Sequence, residues 1–375
     1  MLRVAGQIAF TVAIAIVLRE MFLNASFALA DRGRDLSYSY LDNRAGFNIK
    51  ETILNYSANQ PFYRAFLAGA TNAILVAVVG IILATIVGLF LGVARLSPNW
   101  LLRRIAQVYV EVFRNTPLLV QVIFWYVAVI LAVPTIDKSV SVFGLAFVSN
   151  RGAAIPAVRP DNGFGIWVLI VAAGIAGGVI AWRWRTRVNE ESGVPHHRGP
   201  IAAGVVVAVA VVGYLALLGP FTIETPEVGE HSYSGGLQMS PEFAGILAAL
   251  VIYTAAFIGE IVRGSILAVS KGQKEAAEAL GLKPGQQLRL VVLPQAMRIA
   301  IPPINNQYLN LWKNTSLAFA IGYPENINIS TTMINQAGHE LETFGLVVIT
   351  YLTVSLIVSA IMNFMNRLVA LKGSA

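Results

Sequence analysis

Two groups of polar side chains interrupt otherwise apolar runs, and they are the residues best suited to chemistry in this chain. The first comprises Asn305, Asn306, Gln307, Asn310, Lys313, Asn314, Thr315 and Ser316; the second comprises Glu111, Arg114, Asn115, Thr116 and Gln121, with Pro117 among them. Amides offer donors and acceptors together, and hydroxyls and cations add single ones. A charge at the centre of an apolar span costs about 2.5–3.5 kcal/mol on insertion scales, so these groups must face a protein interior or a wet cavity. Pro117 in one run and Pro302 and Pro303 in the other free backbone groups that neighbours or water must satisfy. Broken helices at membrane depth are a recurring way to build a polar substrate site. The expected lining is therefore Asn306, Gln307 and Asn310 near the midplane with Gln121 opposite, and Thr116, Arg114 and Lys313 beside them. Blander readings stay open: Lys313 snorkelling to the outer interface, Arg114 pairing with Glu111, and the amides serving as interhelical glue.

The elements that position these groups are membrane helices. Of 375 residues, 56% are apolar and 13% charged, with a mean hydropathy of +0.66, values of the polytopic membrane class. Eight runs approach the roughly 20 residues needed to span a bilayer: 4–23, 66–94, 105–133, 164–182, 201–219, 243–270, 299–321 and 344–366. Arg3, the first run and Ala28-Leu29-Ala30 resemble a secretory signal, but Arg19 and Glu20 separate run from cleavage site, so this run reads as a retained helix. The net charge of +7 collects in particular loops, which is a topology signal and no argument for nucleic acid. Arg95, Arg103 and Arg104, then Arg183, Arg185, Arg187 and Arg198, then Lys271, Lys274, Lys283, Arg289 and Arg298, and finally Arg367 and Lys372 mark cytoplasmic sides, which puts both termini inside. Stretches 220–242 and 322–343 hold no Lys or Arg, whereas 24–65 mixes Arg32, Arg34, Arg44, Lys50 and Arg64 with acids. Tyr38, Tyr40, Phe47 and Tyr56 make 24–65 too aromatic for a disordered linker. The pair of runs in 164–219 is rich in Gly, Ala and Val, carries no intramembrane charge and reads as an inserted peripheral hairpin, with lipid and a partner both open as what it faces.

Several chemistries are excluded. Without cysteine there is no disulfide, thiol nucleophile or thiolate metal site. His196 and His197 lie in a polar loop, His231 and His339 are isolated, and Glu340 and Glu342 read as loop acids, so neither a metal site nor a nucleophile–base set emerges. Glu260 and Arg263, three residues apart near the inner end of a run, read as a structural pair or gate. No G-x-x-x-x-G-K-[ST] pattern occurs, so the chain has no phosphate cradle of that kind.

Residues 275–294, EAAEALGLKPGQQLRLVVLP, form a polar interruption too orderly for a plain loop. Ser270 and Gln273 make a capping box for a helix over 271–280. Gly281 takes the left-handed stop, Leu282 supplies the apolar contact, and Pro284 prevents continuation. Ala276, Ala277 and Leu280 share one face and Glu275 and Glu278 another. Leu288, Val291 and Val292 stripe a second short segment ended by Pro294. A ten-residue helix outside the bilayer is marginal alone. It must pack on a cytoplasmic protein or lie on lipid, and the residues leave both open.

The spacing Glu275-Ala276-Ala277, Gly281, Val291, Leu293-Pro294 resembles the EAA loop of bacterial ABC importer permeases, with Val for the usual Ile. VEVFRNTPLLVQ (110–121), YTAAFIGEIVRGSI (253–266) and LPQAMRIAIPPINNQYLNLWKNTSLA (293–318) resemble permeases of the histidine, glutamine and arginine importers. The stretch NRAGFNIKETILNYS and the two-run insert resemble the longer permease of the general L-amino-acid importer. The resemblance implies an all-α polytopic protein of about eight transmembrane helices. It implies an extra N-terminal helix (1–23), a periplasmic loop (24–65), core helices (66–133 and 243–375) making a five-helix core, an insert with two spans (134–242), and a coupling loop (271–294). It implies a permease subunit of an ATP-driven importer of polar L-amino acids in the bacterial inner membrane. Glu275, Ala276, Ala277, Glu278, Leu280 and Gly281 would then meet the ATPase, and Lys313 or Arg114 the substrate carboxylate. The implied partners are an ATP-binding subunit dimer that carries ATP and Mg, a second homologous permease, a periplasmic solute-binding protein, the amino acid and lipid, with no cofactor in this chain and no enzyme activity of its own. Gln307 stands where relatives selective for cationic side chains can carry an acid, against strict cationic selectivity. The alternative is a secondary transporter driven by an ion gradient, which would call for an inverted repeat and more intramembrane acids than Glu111 and Glu260.

Overall fold

A computed structural model describes residues 2–31, 36–192, 198–230 and 232–369. Arg32, Arg34, His196, His197, His231 and Lys372 lie outside the described residues. The helices, in chain order, are α1 (Leu2–Ala30), α2 (Phe62–Ala94), α3 (Trp100–Asn115), α4 (Leu118–Ile123), α5 (Phe164–Ser192), α6 (Arg198–Ala216), α7 (Pro241–Leu267), α8 (Lys271–Ala279), α9 (Pro284–Gln287), α10 (Leu293–Asn314), α11 (Asn326–Ala337) and α12 (Glu340–Val369). The chain packs as two units, Met1–Val129 with Glu242–Ala375, and Ile130–Pro241.

Among the described residues, five helical segments are long and apolar enough to cross a membrane: Phe62–Ala94, Phe164–Val188, Gly199–Ala216, Pro241–Leu267 and Glu340–Arg367. A sixth crossing exists if α3 and the segment Leu118–Ile130 count as one span bent by 109°. These account for five or six of the eight expected crossings. The run 299–321 is dilute in apolar residues because Asn305, Asn306, Gln307, Asn310 and Lys313 occupy α10, and α1, although one continuous helix, stands outside the count.

In the first unit, Gly80, Ala84, Gly88 and Gly92 recur every four residues along α2. Such spacing lets helix backbones approach closely. A Cβ at Gly88 would sit 2.6 Å from the Cβ of Ile258, and one at Gly92 2.6 Å from that of Val262, so α7 lies directly on this face. Beyond the seam Arg95 donates to Glu260, which also accepts from Arg263, Nη2 to Oε1 at 2.5 Å. The pair foreseen at 260 and 263 is thus a triad spanning two helices.

α10 is held by α2 and α12. The hydroxyls of Thr85 and Tyr308 are 2.8 Å apart, and fully buried Trp312 donates its indole N–H to the Tyr351 carbonyl at 3.0 Å. Pro302 and Pro303 lie inside α10 without breaking it, contrary to the expectation of a broken span here.

Between α1, which runs on to Ala30, and α2, the segment 36–61 is tied down through Tyr40, which packs with Phe62, Phe66, Ile329, Met333 and Val347. Its hydroxyl is 2.7 Å from that of Thr343, and the His339 ring stacks on it at 4.3 Å. His339 Nδ1 is 3.0 Å from Glu342 Oε1, which also accepts the Ser37 N–H at 3.1 Å. His339 is therefore not isolated, and Glu342 is a buried joint in the first turn of α12, not a loop acid. Most of 322–343 is helix: Glu325 caps α11, accepting from Ile327 N–H at 2.9 Å and Asn328 N–H at 2.8 Å, and Gly338, at φ 72°, stops it.

The second unit holds α5, α6 and eight short strands, which the all-helical expectation did not include. β1 (Val140–Val142), β2 (Ala146–Ser149), β3 (Gly152–Ile155) and β8 (Leu237–Met239) form an antiparallel sheet in that order, with Val140 opposite Val148, Ser149 opposite Gly152 and Ala153 opposite Met239. β4 (Ala157–Pro160) pairs with β5 (Phe221–Glu224), and β6 (Glu227–Val228) with β7 (Tyr233–Ser234). The β4–β5 ribbon joins the near ends of α5 and α6, where Phe221 packs on Trp167 and Tyr214, both at 5.0 Å.

Candidate functional site

The break between α3 and α4 is built by three polar side chains. Pro117 brings no N–H, so carbonyls near the C-terminus of α3 need other donors. Asn115 donates to the Glu111 carbonyl at 2.7 Å, Thr116 to the Val112 carbonyl at 2.9 Å, and Gln121 Nε2 to the carbonyls of Phe113 at 2.9 Å and Thr116 at 3.0 Å. Gln121, expected on the lining, is 3% exposed and its amide nitrogen is spent on the bend. Arg114 does not pair with Glu111, which takes the Gln107 amide at 2.7 Å. Its guanidinium lies 5.1 Å from the centre of the Phe257 ring of α7, a cation–π contact, and its N–H groups make no hydrogen bond with a described residue.

α10 shows the opposite arrangement. Asn306, Asn310 and Lys313 follow at intervals of four and three, which places them on one helical face, and all three are exposed. Gln307 is half-buried beside them. None of these four side chains makes a hydrogen bond or ion pair with a described residue. The reverse face of α10 is filled by Tyr308, Leu311 and Trp312 against α2 and α12. The structure therefore brings Asn306, Gln307, Asn310 and Lys313 together on one open face and commits Thr116 and Gln121 to the bend.

The polar hairpin between α7 and α10 has the predicted stop. Gly281 takes φ 75°, its N–H donates to the Glu278 carbonyl at 2.8 Å, and the Leu282 N–H reaches the Ala277 carbonyl at 3.1 Å. This is the paired Schellman pattern. Three expectations are corrected. Ser270 is the N-cap residue but its side chain makes no cap bond, and the Gln273 side chain accepts from Gln295 at 3.2 Å instead of reaching back. Pro294 ends nothing, because the widened π-helical turn Leu288–Val292 absorbs its missing donor and runs straight into α10. Ala277 does not share an outward face with its neighbours: it is 3% exposed, whereas Leu280 is 80% exposed with Glu275, Ala276 and Glu278 also open.

Sequence reasoning missed a second polar group around Glu325. Asn72 of α2 donates to the carbonyls of Glu51 at 2.7 Å and Pro324 at 2.9 Å, and the Tyr351 hydroxyl lies 3.4 Å from Glu325. Asn326, Ser330 and the Tyr323 hydroxyl are buried with no partner among the described residues. Burial pushes the Glu325 carboxyl up to about 7, with the Ile327 and Asn328 N–H groups and the Tyr351 hydroxyl opposing the rise. The available signals were Pro324 and Gly338 bracketing an apolar-periodic stretch; Glu is an uncommon N-cap.

A bundle of apolar spans, one bent at a side-chain-stapled break, one helix with an unpaired polar face and one capped polar hairpin between spans, defines a membrane transport component. Residues 80–372 match the family described as the binding-protein-dependent transport system inner membrane component, and the chain belongs to that family. The match takes in the break, the polar face of α10 and the hairpin. The chain is 41% identical over 349 residues to the general L-amino acid transport system permease protein AapQ of Rhizobium johnstonii, covering 93% of this chain and 87% of that one. It is 38% identical over 382 residues to the glutamate/glutamine/aspartate/asparagine transport system permease protein BztB of Rhodobacter capsulatus, covering 93% and 89%. A crystal structure of an amino acid ABC transporter with histidines aligns at a TM-score of 0.48 and 18% identity, covering 82% of this chain and 94% of that one.

Proposed function

We propose that this chain is the transmembrane permease subunit of an ATP-driven importer that carries polar L-amino acids, with broad specificity, across the bacterial inner membrane. The observation that carries the reading is the open face of α10. Unpaired amides and an ammonium inside a membrane bundle are tolerable only where they meet water, a substrate or a partner. Asn306, Gln307 and Asn310 can donate to and accept from an amino acid, and Lys313 or the free N–H groups of Arg114 can meet its carboxylate. Thr116 and Gln121 act one step back, by holding the bend. Family membership and the relatives' amino-acid systems support this choice of solute.

The hairpin supplies the link to energy. α8 ends in a rigid Schellman stop and offers Leu280 outward, flanked by Glu275, Ala276, Glu278 and Gly281, while Ala277 anchors the helix to its own chain. That surface fits a groove on an ATP-binding subunit dimer, where ATP and Mg would reside. A second homologous permease would close the path opposite α10, and a periplasmic solute-binding protein would deliver the amino acid. The positive-inside pattern favours the hairpin and both termini in the cytoplasm.

Reconstituting the chain with those subunits and measuring ATP-dependent uptake of labelled glutamate, glutamine, arginine and leucine tests the reading. Leu280→Glu should leave membrane insertion intact while uptake falls at least tenfold and ATP hydrolysis ceases to respond to the loaded binding protein. Accumulation of solute by this chain alone without nucleotide would overturn the proposal in favour of an ion-driven carrier.

A further inference from the structure

The second unit carries a site that amino-acid transport does not use. α5 and α6 pack closely at one end: a Cβ at Gly174 would lie 2.9 Å from Val209, and one at Gly213 2.8 Å from Ile170. The Trp167 indole N–H adds a bond to the Ala210 carbonyl at 3.0 Å. The helices stay close as far as Gly178, where a Cβ would lie 2.8 Å from Val206 and 3.1 Å from the Ala202 carbonyl oxygen, and at Gly199 nothing lies within 4 Å. The space left is a groove of about 550 Å³, walled by Ile175, Gly178, Val179, Ala202, Ala203 and Val206, with Trp182 and Arg183 at its mouth.

Three features say what fills it. The walls are aliphatic, and both helices are long and apolar enough to cross a membrane. The mouth is at headgroup depth, because Trp182 and Trp184 stand there, opposite the end marked by Phe164, Trp167, Tyr214 and Phe221, and tryptophan and tyrosine mark the two membrane interfaces. The mouth is also cationic. Arg183 and Arg187 make no hydrogen bond or ion pair with a described residue, and the Arg185 guanidinium lies 5.0 Å from the centre of the Trp184 ring. Glu190 and Glu191 are the nearest acids in the chain, which leaves three arginines over two carboxylates along this stretch. Guanidinium matches phosphate oxygens in a two-point fork, and basic clefts between membrane helices bind anionic headgroups.

We infer that the α5–α6 groove binds one anionic phospholipid, its acyl chain lying along Gly178 and Ala202 and its phosphate held by Arg183 with Arg187 beside it. The tail excludes a soluble anion, and the guanidinium mouth selects against a zwitterionic headgroup.

The test uses the full chain, purified in detergent and stripped of lipid, with phosphatidylglycerol and phosphatidylcholine as probes and native mass spectrometry as the readout. The wild type should retain phosphatidylglycerol about fivefold better, the factor expected of one arginine near an anionic surface. Arg183→Gln, an exposed position whose change spares the fold, should bring the ratio to about one. Ala203→Phe should fill the groove and lower retention of both lipids. Equal retention of the two lipids by the wild type, an undiminished preference in Arg183→Gln, or undiminished retention in Ala203→Phe overturns the inference. So does a second copy in the groove: the chain has no cysteine, so Ala203→Cys provides a single thiol, and efficient disulfide dimers in lipid vesicles would assign the groove to a partner helix.

Discussion

Two polar regions of the first unit carry similar residue types and have opposite fates. Around Glu325 the polar groups are shut in, with Asn72 and Glu325 bonded to backbone and Asn326, Ser330 and the Tyr323 hydroxyl buried without a partner among the described residues, whereas Asn306, Asn310 and Lys313 on α10 are open and bonded to nothing described. The difference separates polar groups that hold the bundle together from those it keeps in reserve. Gln121 shows why residue type alone misleads, since it sits in an apolar run as the α10 amides do and yet serves the backbone.

The contrast breaks hardest at Gln121. Gln121→Leu keeps the shape of the site but removes the donor to two part-buried carbonyls, each costing at most roughly 1–3 kcal/mol when left unpaired. The expected loss is at most about 2–6 kcal/mol, read as a large drop in melting temperature and in the amount of folded subunit, with the substrate profile of whatever survives unchanged. A stable protein with altered substrate choice would move Gln121 onto the path.

On α10 the pattern should invert. Lys313→Met should leave melting within about 0.5 kcal/mol of wild type, as surface changes usually do. Its uptake should fall roughly ten- to a hundredfold, since bonds to charged groups are worth about 1.5–3 kcal/mol. Asn310→Ala should act in the same sense and more weakly, about five- to tenfold on the apparent substrate affinity. If either variant melts early while its affinity holds, the face is scaffold and the comparison collapses.

What the residues disclosed in advance follows a physical line. The hairpin was legible because a left-handed glycine, a proline and an alanine-rich turn are local signals, and Gly281 needs no distant partner to stop a helix. Its start at Lys271 behind Ser270 was legible too, but not the absence of the capping-box bonds, with the Gln273 side chain engaged by Gln295 22 residues away. Proline was overread twice: Pro294 is accommodated by a π-helical turn and Pro302 and Pro303 by a continuous helix, while Pro117, with the same chemistry, sits at a 109° bend. At Pro117 the side chains of Asn115, Thr116 and Gln121 supply donors to carbonyls at the end of α3. The strands of the second unit are two to four residues long, too short for alternation to register. The open face of α10 was legible as polar residues, but their exposure became visible only once Tyr308, Leu311 and Trp312 were seen filling the reverse side.

The finest test of the buried region is its pH response. Glu325 has its carboxyl raised from 4.5 to about 7 in the folded chain. The folded state then binds more protons than the unfolded state between those values, so stability is fully present below about 4.5, declines as pH rises and levels off above about 7. A rise of that size corresponds to at most roughly 3 kcal/mol between the two plateaus. Glu325→Gln removes the titration but leaves one amide oxygen for the N–H groups of Ile327 and Asn328, which costs back about 1 kcal/mol for each weakened bond. The variant should therefore melt lower than wild type at pH 4.5 and about 1 kcal/mol more stably at pH 8, the two curves crossing between. Parallel melting curves from pH 4.5 to 8 would mean that Glu325 is solvated or paired in a way that keeps it ionised, and that the outer cluster is not the dry counterpart of the α10 face.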